Sequence, residues 1–204
     1  MDYFVLDTHY NPADRSSIRK FMRDQRGQLT NQQQLTAAKS LSQNILAQSW
    51  YQRAQNIGIY IANDGEIDPI VIATKAMFRG KTCLLPSLHP VKKGHLWFGD
   101  YQGPMVNNQF GIAEPDPKRN KMLPANQLDV VFMPLVAFDQ NGGRLGMGGG
   151  FYDRTFEFLI SSLHQKPKLV GLAHDFQQVG TLPTEIWDVP MSAIITNKAV
   201  IQIS

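Results

Sequence analysis

Residues 144–153 read Arg-Leu-Gly-Met-Gly-Gly-Gly-Phe-Tyr-Asp, a glycine-packed turn between an apolar run, Val130 to Phe138, and a helical pattern that begins near Arg154. A strand, a loop and a helix in that order form the repeating unit of an α/β fold. Without Cβ atoms, consecutive main-chain amides can converge on one anion, and the helix behind them aims the positive end of its dipole at the same point. The stretch therefore predicts a cradle for a nucleotide or another phosphorylated group. No Gly-x-x-x-x-Gly-Lys-Ser/Thr is present, and Gly-x-Gly-x-x-Gly is met only loosely. A hairpin tip is the competing reading, because Asn141-Gly142 is a strong turn pair. Composition favours the cradle: Arg144, Tyr152, Asp153 and Arg154 supply two guanidinium groups, a phenol and a carboxylate, whereas passive linkers are uncharged and rich in Ser and Gly.

Outward from this loop, periodicity and punctuation supply the remaining elements. Pro12 to Gln28 carries Ile18, Phe21 and Met22 on one helical face, and a second helix follows Thr30, whose hydroxyl and Gln33 form a capping box. Asn56 to Ile61 reads as a buried strand, and a helix follows with Asp68 as N-cap, Pro69 at its first position and Gly80 past its end. Further strands are expected at Thr82 to Leu85, Leu96 to Tyr101, Leu169 to Ala173, Ala193 to Thr196 and Val200 to Ile203. Short apolar runs alternating with helices predict a single-domain, layered α/β fold with a mainly parallel, twisted central sheet flanked by helices. Gly103 to Gln127, rich in Pro, Asn and Lys and without periodicity, reads as a long surface loop. Ligands of such sheets bind beyond the carboxyl ends of the strands, so Asn63 to Asp68 and Asp139 to Asp153 are expected to share one pocket.

The 204 residues, 43% of them hydrophobic, suffice for one substantial domain spanning residues 1–204. The net charge of +3 comes from dispersed Lys and Arg, densest at Arg15, Arg19, Lys20, Arg23 and Arg26, which favours small anionic ligands. Basic residues are not interleaved with exposed aromatics, so nucleic acid is not an expected partner. The one cysteine, Cys83, stands in an apolar run and reads as a buried thiol. His9, His89, His95, His164 and His174 have no His, Cys or Glu partner at metal-ligand spacing, which argues against a structural zinc site. The polar N-terminus and the absence of a long apolar segment predict a cytoplasmic protein with no membrane association.

Taken together, the residues resemble the 5-formyltetrahydrofolate cyclo-ligase family, also called the methenyltetrahydrofolate synthetases. The similarity rests on Phe132-Met-Pro-Leu-Val-Ala-Phe-Asp139 followed by Gly143-Arg-Leu-Gly-Met-Gly-Gly-Gly-Phe-Tyr-Asp-Arg154. Arg15 and Arg19, Tyr60 with Gly65-Glu-Ile-Asp68, Phe110-Gly-Ile-Ala-Glu-Pro115, and Gly171-Leu-Ala173 with Gln177, Leu182-Pro183 and Asp188 agree in order. The resemblance implies a fold shared with sugar-phosphate isomerases and CoA transferases. It also implies a reaction in which ATP and Mg²⁺ drive 5-formyltetrahydrofolate to cyclise to 5,10-methenyltetrahydrofolate.

Carried over residue by residue, the resemblance implies that Gly146, Met147, Gly148, Gly149, Gly150, Phe151 and Tyr152 wrap the ATP phosphates. Arg144, Arg15 and Arg19 assist them, the last two lying on one helical face. Asp153 and Asp188 would hold or organise the metal; a helix N-cap for Asp153 and a turn cap for Asp188 are the alternatives. Glu66 would accept hydrogen bonds from the pterin-like ring of the folate, and Phe110, with Trp97 and Tyr101 as further candidates, would stack on its flat rings. Tyr152, the catalytic candidate, would stand where folate and ATP meet; the alternative for it is packing. In many relatives the loop reads Gly-Arg-Gly-Lys-Gly, whereas Met147 and Gly149 occupy those positions here. Two rival functions share the fold: an isomerase using Glu66 as base without ATP, and a non-catalytic folate-binding protein. His174, where an apolar residue is expected, is assigned only a possible place at the pocket edge.

Overall fold

In the computed structural model, helix α1 (Arg15–Gly27) starts where the Asp14 carboxylate accepts hydrogen bonds from the amides of Ser16 and Ser17. The structure describes residue 11 and residues 14–161 and 166–203, so the expected start at Pro12 lies outside the described residues, as do His9 and His164. Helix α2 (Asn31–Leu46) opens with the expected capping box of Thr30 and Gln33, and the short α3 (Ser49–Arg53) leads into β1 (Asn56–Gly58). Helix α4 (Ile70–Phe78) follows Pro69 at the N-cap, one residue later than expected, while the Asp68 carboxylate still accepts from the Ile70 amide at 2.8 Å.

Strands β2 (Thr82–Leu88) and β3 (Leu96–Asp100) precede the short β4 (Met105–Asn107) and β5 (Ala113–Pro115). After them come β6 (Val130–Pro134), β7 (Ala137–Phe138) and β8 (Arg144–Leu145). The chain continues through α5 (Phe151–Phe156), α6 (Phe158–Ser161), β9 (Lys168–Ala173), β10 (Ala193–Thr196) and β11 (Val200–Gln202). The main sheet has the order β11-β10-β9-β6-β1-β2-β3. Its inner pairings are parallel and its two edge pairings, β2 with β3 and β10 with β11, are antiparallel. This is the mainly parallel, layered α/β architecture that the sequence predicts.

Both faces of the sheet are covered, which explains why its strands are apolar without alternation. On one face Ile57, Cys83, Phe132, Val170 and Ile195 pack with Leu41 and Ile45 of α2 and with Ile72, Ala73 and Ala76 of α4. On the other, Leu84, Val131, Met133, Leu169 and Ile194 pack with Phe156 of α5 and with Val189 and Met191. Helix α1 closes a third cluster, Ile18 and Met22 against Val136, Ala137, Leu145 and Leu182. Cys83 is a buried free thiol.

Two readings of the sequence are corrected. Val130 to Phe138 is not one strand: β6 ends at Pro134 and β7 pairs with β8 instead. The Gln177 side chain donates to the carbonyls of Leu135 and Val136, at 2.6 and 2.8 Å, satisfying main-chain groups at the break. Gly103 to Gln127 is not an irregular loop, because β4 and β5 pair within it. The Asn108 side chain shapes their connection by accepting from the amides of Phe110 and Ile112. These strands have only three residues each, and β4 is exposed throughout, so they carry no apolar periodicity. Among the described residues no helix is long and apolar enough to cross a membrane.

Candidate active site

A cavity of about 1010 Å³ opens beyond the carboxyl ends of β1, β2 and β6. That is where the chain leaves β1 toward one side of the sheet and β6 toward the other, the switch point at which open α/β sheets bind ligands. Leu85, Pro86, Met133 and Pro134 give it an apolar lining. The expectation that the loops after β1 and β7 share one pocket holds, since Asn63, Asp64 and Glu66 line it together with Arg144 and Gly146 to Arg154.

The loop after β1 is a tight turn. Asp64 and Gly65 have φ of 52° and 71°, and the Glu66 amide donates to the Asn63 carbonyl at 3.0 Å. Successive positive φ values favour Asn, Asp and Gly. Gly65 is further constrained by packing, because a Cβ there would stand 2.9 Å from Arg26 Cβ and from the Arg26 carbonyl oxygen. The turn is clamped from α1: Asp64 accepts from Arg23 and from Arg26, each at 2.7 Å, and Arg26 is 1% exposed. The Gly65 carbonyl accepts from Gln34 Nε2 at 3.0 Å, and His174 Nε2 lies 3.3 Å from it. The outcome is a fixed position for Glu66, whose Oε2 accepts from the Asn63 amide at 3.1 Å. Burial raises the Glu66 carboxyl to about 7.

The glycine loop faces this carboxylate. Arg19 Nε donates to the Gly146 carbonyl at 2.8 Å, and Arg154 donates to the Gly149 carbonyl. Among the described residues the main-chain amides of Met147 to Tyr152 have no acceptor. Gly150 caps α5 in the left-handed region, at φ of 62°, so Asp153 is not the N-cap. Asp153 instead pairs with Arg144, which also donates to the Val189 carbonyl. Asp188 accepts from the Glu185 amide at 2.9 Å, the turn-capping contact, and Arg15 Nη2 lies 3.6 Å from the same oxygen. One oxygen of each carboxylate, Asp153 Oδ2 and Asp188 Oδ1, is thereby left without a hydrogen bond among the described residues. No group of three His, Cys, Asp or Glu side chains suited to a metal occurs among the described residues. This donor set fits Mg²⁺, which takes one or two carboxylates and completes its shell with phosphate oxygens and water.

Tyr152 projects from the first turn of α5 and stacks on Phe156, with ring centroids 6.3 Å apart. Burial, then the Glu66 carboxylate, raises its phenol, which therefore stays protonated near neutral pH. Tyr60 is likewise raised by burial and donates to the Ile67 carbonyl at 2.6 Å. Phe110, 58% exposed, meets Phe151 edge-on at 6.0 Å on the cavity rim beside Ile112, Met147 and Trp187.

The principal candidates that the resemblance gives for ATP, folate and metal line this one cavity. The further stacking candidates do not. Trp97 lies against His89 at 5.1 Å, and Tyr101 packs against the apolar cluster beneath α2 and α4. His174 does not border the cavity either; it is buried behind the turn, stacked on Phe176. The sequence reading missed Glu114, a buried cavity-lining carboxylate that accepts from the Leu88 amide and from Asn108 Nδ2. It also missed the clamp of Arg23 and Arg26 on Asp64. An acidic residue inside an otherwise apolar motif was the available signal for the first; a buried arginine leaves no periodic signal.

A model of the 5-formyltetrahydrofolate cyclo-ligase family matches residues 11–197. A 5-formyltetrahydrofolate cyclo-ligase of Haemophilus influenzae is 44% identical over 188 residues, 91% of this chain and 98% of the relative. That of Escherichia coli is 39% identical over 181 residues, 88% and 98% of the two chains. Among solved structures, the 5,10-methenyltetrahydrofolate synthetase of Aquifex aeolicus superimposes with a TM-score of 0.76 at 25% identity, covering 93% of this chain and 92% of its own. The synthetase of Mycoplasma pneumoniae shares the fold, with a TM-score of 0.71 at 22% identity over 90% and 99% of the two chains. With the fold, the cavity and a match over nearly its whole length in agreement, the chain belongs to the 5-formyltetrahydrofolate cyclo-ligase family.

Proposed function

We propose that this protein, acting in the cytoplasm as one domain, uses ATP to cyclise 5-formyltetrahydrofolate to 5,10-methenyltetrahydrofolate with release of ADP and phosphate. The observation that carries the reading is the juxtaposition, in one cavity, of a glycine loop with unpaired amides, two arginine–carboxylate pairs, Tyr152 and the clamped Glu66.

A formamide oxygen is a poor leaving group. It first attacks the γ-phosphorus of ATP, displacing ADP; the neighbouring folate nitrogen then attacks the formyl carbon, loses its proton, and the carbon–oxygen bond breaks as phosphate leaves. Positioning and charge neutralisation are what such a sequence asks of a protein. The amides from Gly146 to Tyr152, with Arg15, Arg19 and Arg144, hold the phosphates. Asp153 and Asp188 would hold Mg²⁺, which when bound would neutralise charge on the phosphate oxygens. Glu66 accepts hydrogen bonds from the pterin-like ring, which requires the carboxylate form. Phe110 covers a flat face of the substrate. Tyr152, held protonated, donates a hydrogen bond at the junction of the two substrates and orients the formyl group.

The test is absorbance of the methenyl product over time, with purified protein, 5-formyltetrahydrofolate and magnesium, with and without ATP. Product that requires ATP is the expected result. Tight folate binding with no product would favour a non-catalytic folate-binding protein, a reading for which Met147 and Gly149 in the loop give the motive. Turnover of a phosphosugar without ATP would favour the isomerase.

A further inference from the structure

Four guanidinium groups border the glycine loop, and they are not equivalent. Arg15 and Arg144 are matched by Asp188 and Asp153, whereas Arg19 and Arg154 form no ion pair among the described residues and bind only main-chain carbonyls. Arg154 donates through Nε to the Gly94 carbonyl at 3.0 Å, in the connection between β2 and β3, and through Nη2 to the Gly149 carbonyl. A guanidinium has five N–H donors. Two are used here, so three remain on a group that borders the cavity.

The surroundings are shaped to this side chain. A Cβ on Gly94 would collide with Arg154 Nε, and a Cβ on Gly150 would stand 2.8 Å from Nη1. The guanidinium also lies over the Phe151 ring, 5.6 Å from its centroid, which fixes its plane without neutralising it. An uncompensated cation held in place by two carbonyls, beside amides that lack acceptors, is an anion contact in waiting.

We infer that Arg154 is a further phosphate-binding residue of this enzyme, contacting the polyphosphate of the nucleotide beside Gly149 and Gly150, as Arg19 does beside Gly146 and Gly148. The inference rests on the nucleotide reading of the cavity and adds a specific cation to it. Together Arg19 and Arg154 supply the net positive charge of a loop that carries no basic side chain from Leu145 to Asp153.

Calorimetric titration of tripolyphosphate and of ATP into the full-length protein tests the assignment, with wild type, R154Q and R154K compared over a range of salt. The glutamine amide nitrogen falls where Arg154 Nε stands, so it keeps an N–H donor for the Gly94 carbonyl and removes the charge. R154Q is expected to weaken both anions about tenfold, the size of one lost charge-assisted contact, and to flatten the salt dependence. Affinity for 5-formyltetrahydrofolate and Tm stay as in wild type, and R154K binds the anions more tightly than R154Q. Anion binding by R154Q equal to wild type overturns the inference, as does a joint fall of anion affinity, folate affinity and Tm, which marks a structural clip between Gly149 and Gly94. If R154Q does not fold, R154K decides: near wild-type anion affinity supports the charge, and a joint fall overturns it. Wild-type protein that binds neither anion overturns the nucleotide reading along with the inference.

Discussion

At the scale of single residues, the proposed mechanism gives Tyr152 and Glu66 separable tasks. Tyr152→Phe removes the donor that the proposal places at the reacting centre, so kcat is expected to fall roughly 10²-fold, the scale of a single positioned proton donor, while folate affinity changes little. Steady-state kinetics alongside equilibrium folate binding checks the split, and equal losses in both would contradict it. Glu66→Gln removes a charged acceptor; a loss of about 1.5–3 kcal/mol corresponds to roughly 10–100-fold weaker folate binding. Because burial raises Glu66 to about 7, the free protein carries it protonated below that pH. Folate affinity is therefore expected to weaken as pH falls through 7 and to lose that dependence in Glu66→Gln, as read by binding isotherms between pH 5.5 and 8.5. The glycine loop was legible because its chemistry is contiguous in the chain, with residues 144–153 carrying amides, arginine, phenol and carboxylate together, whereas Glu66 was singled out only through the resemblance. Arg26 was not legible. Nothing local marks an arginine in a basic helix as the one that is 1% exposed and clamps a turn 38 residues away.

At the scale of elements, the turn from Asn63 to Glu66 connects the α1 clamp to the site. Gly65→Ala would require a β-carbon at φ of 71° within 2.9 Å of Arg26, so the turn must strain or shift. A cost of about 1–3 kcal/mol in stability is expected, together with a raised KM for folate because Glu66 moves with the turn. Urea unfolding and folate kinetics read the two effects, and an unchanged KM would separate Glu66 from the clamp. Most elements followed from the sequence, since capping at Thr30 and buried runs such as Leu169 to Ala173 are local signals. The break between β6 and β7 was hidden because Val130 to Phe138 is apolar throughout and the group that satisfies the break, Gln177, lies about 40 residues on. The β4–β5 hairpin was hidden because its strands are short and partly exposed, held by Asn108 and Glu114 through hydrogen bonds and not by an apolar pattern.

For the molecule as a whole, two buried groups act in opposite directions on stability between pH 4 and 7. His174, lowered by burial from 6.5 to about 4, contributes stability present above 6.5 and lost as pH falls through 4. Glu66, raised from 4.5 to about 7, contributes stability present below 4.5 and lost as pH rises through 7. The two partly cancel in wild type. Glu66→Gln leaves only the histidine, so the variant is expected to lose stability more steeply on acidification, and urea midpoints at pH 7, 6 and 5 would reveal it; parallel profiles would contradict the assignment. The pairing of Arg144 with Asp153 and of Arg15 with Asp188 has a second consequence. On the proposed roles, nucleotide phosphates would draw the arginines away and free both carboxylates for the metal, so nucleotide and Mg²⁺ should each tighten the other, by a factor on the order of ten, in reciprocal titrations. The central claim, that one cavity carries the formyl oxygen to phosphorus, is tested most directly with 5-formyltetrahydrofolate bearing ¹⁸O in the formyl group. Mass spectrometry of the phosphate released during ATP-dependent turnover should find one ¹⁸O per phosphate. Unlabelled phosphate, with the label recovered in water, would contradict the account.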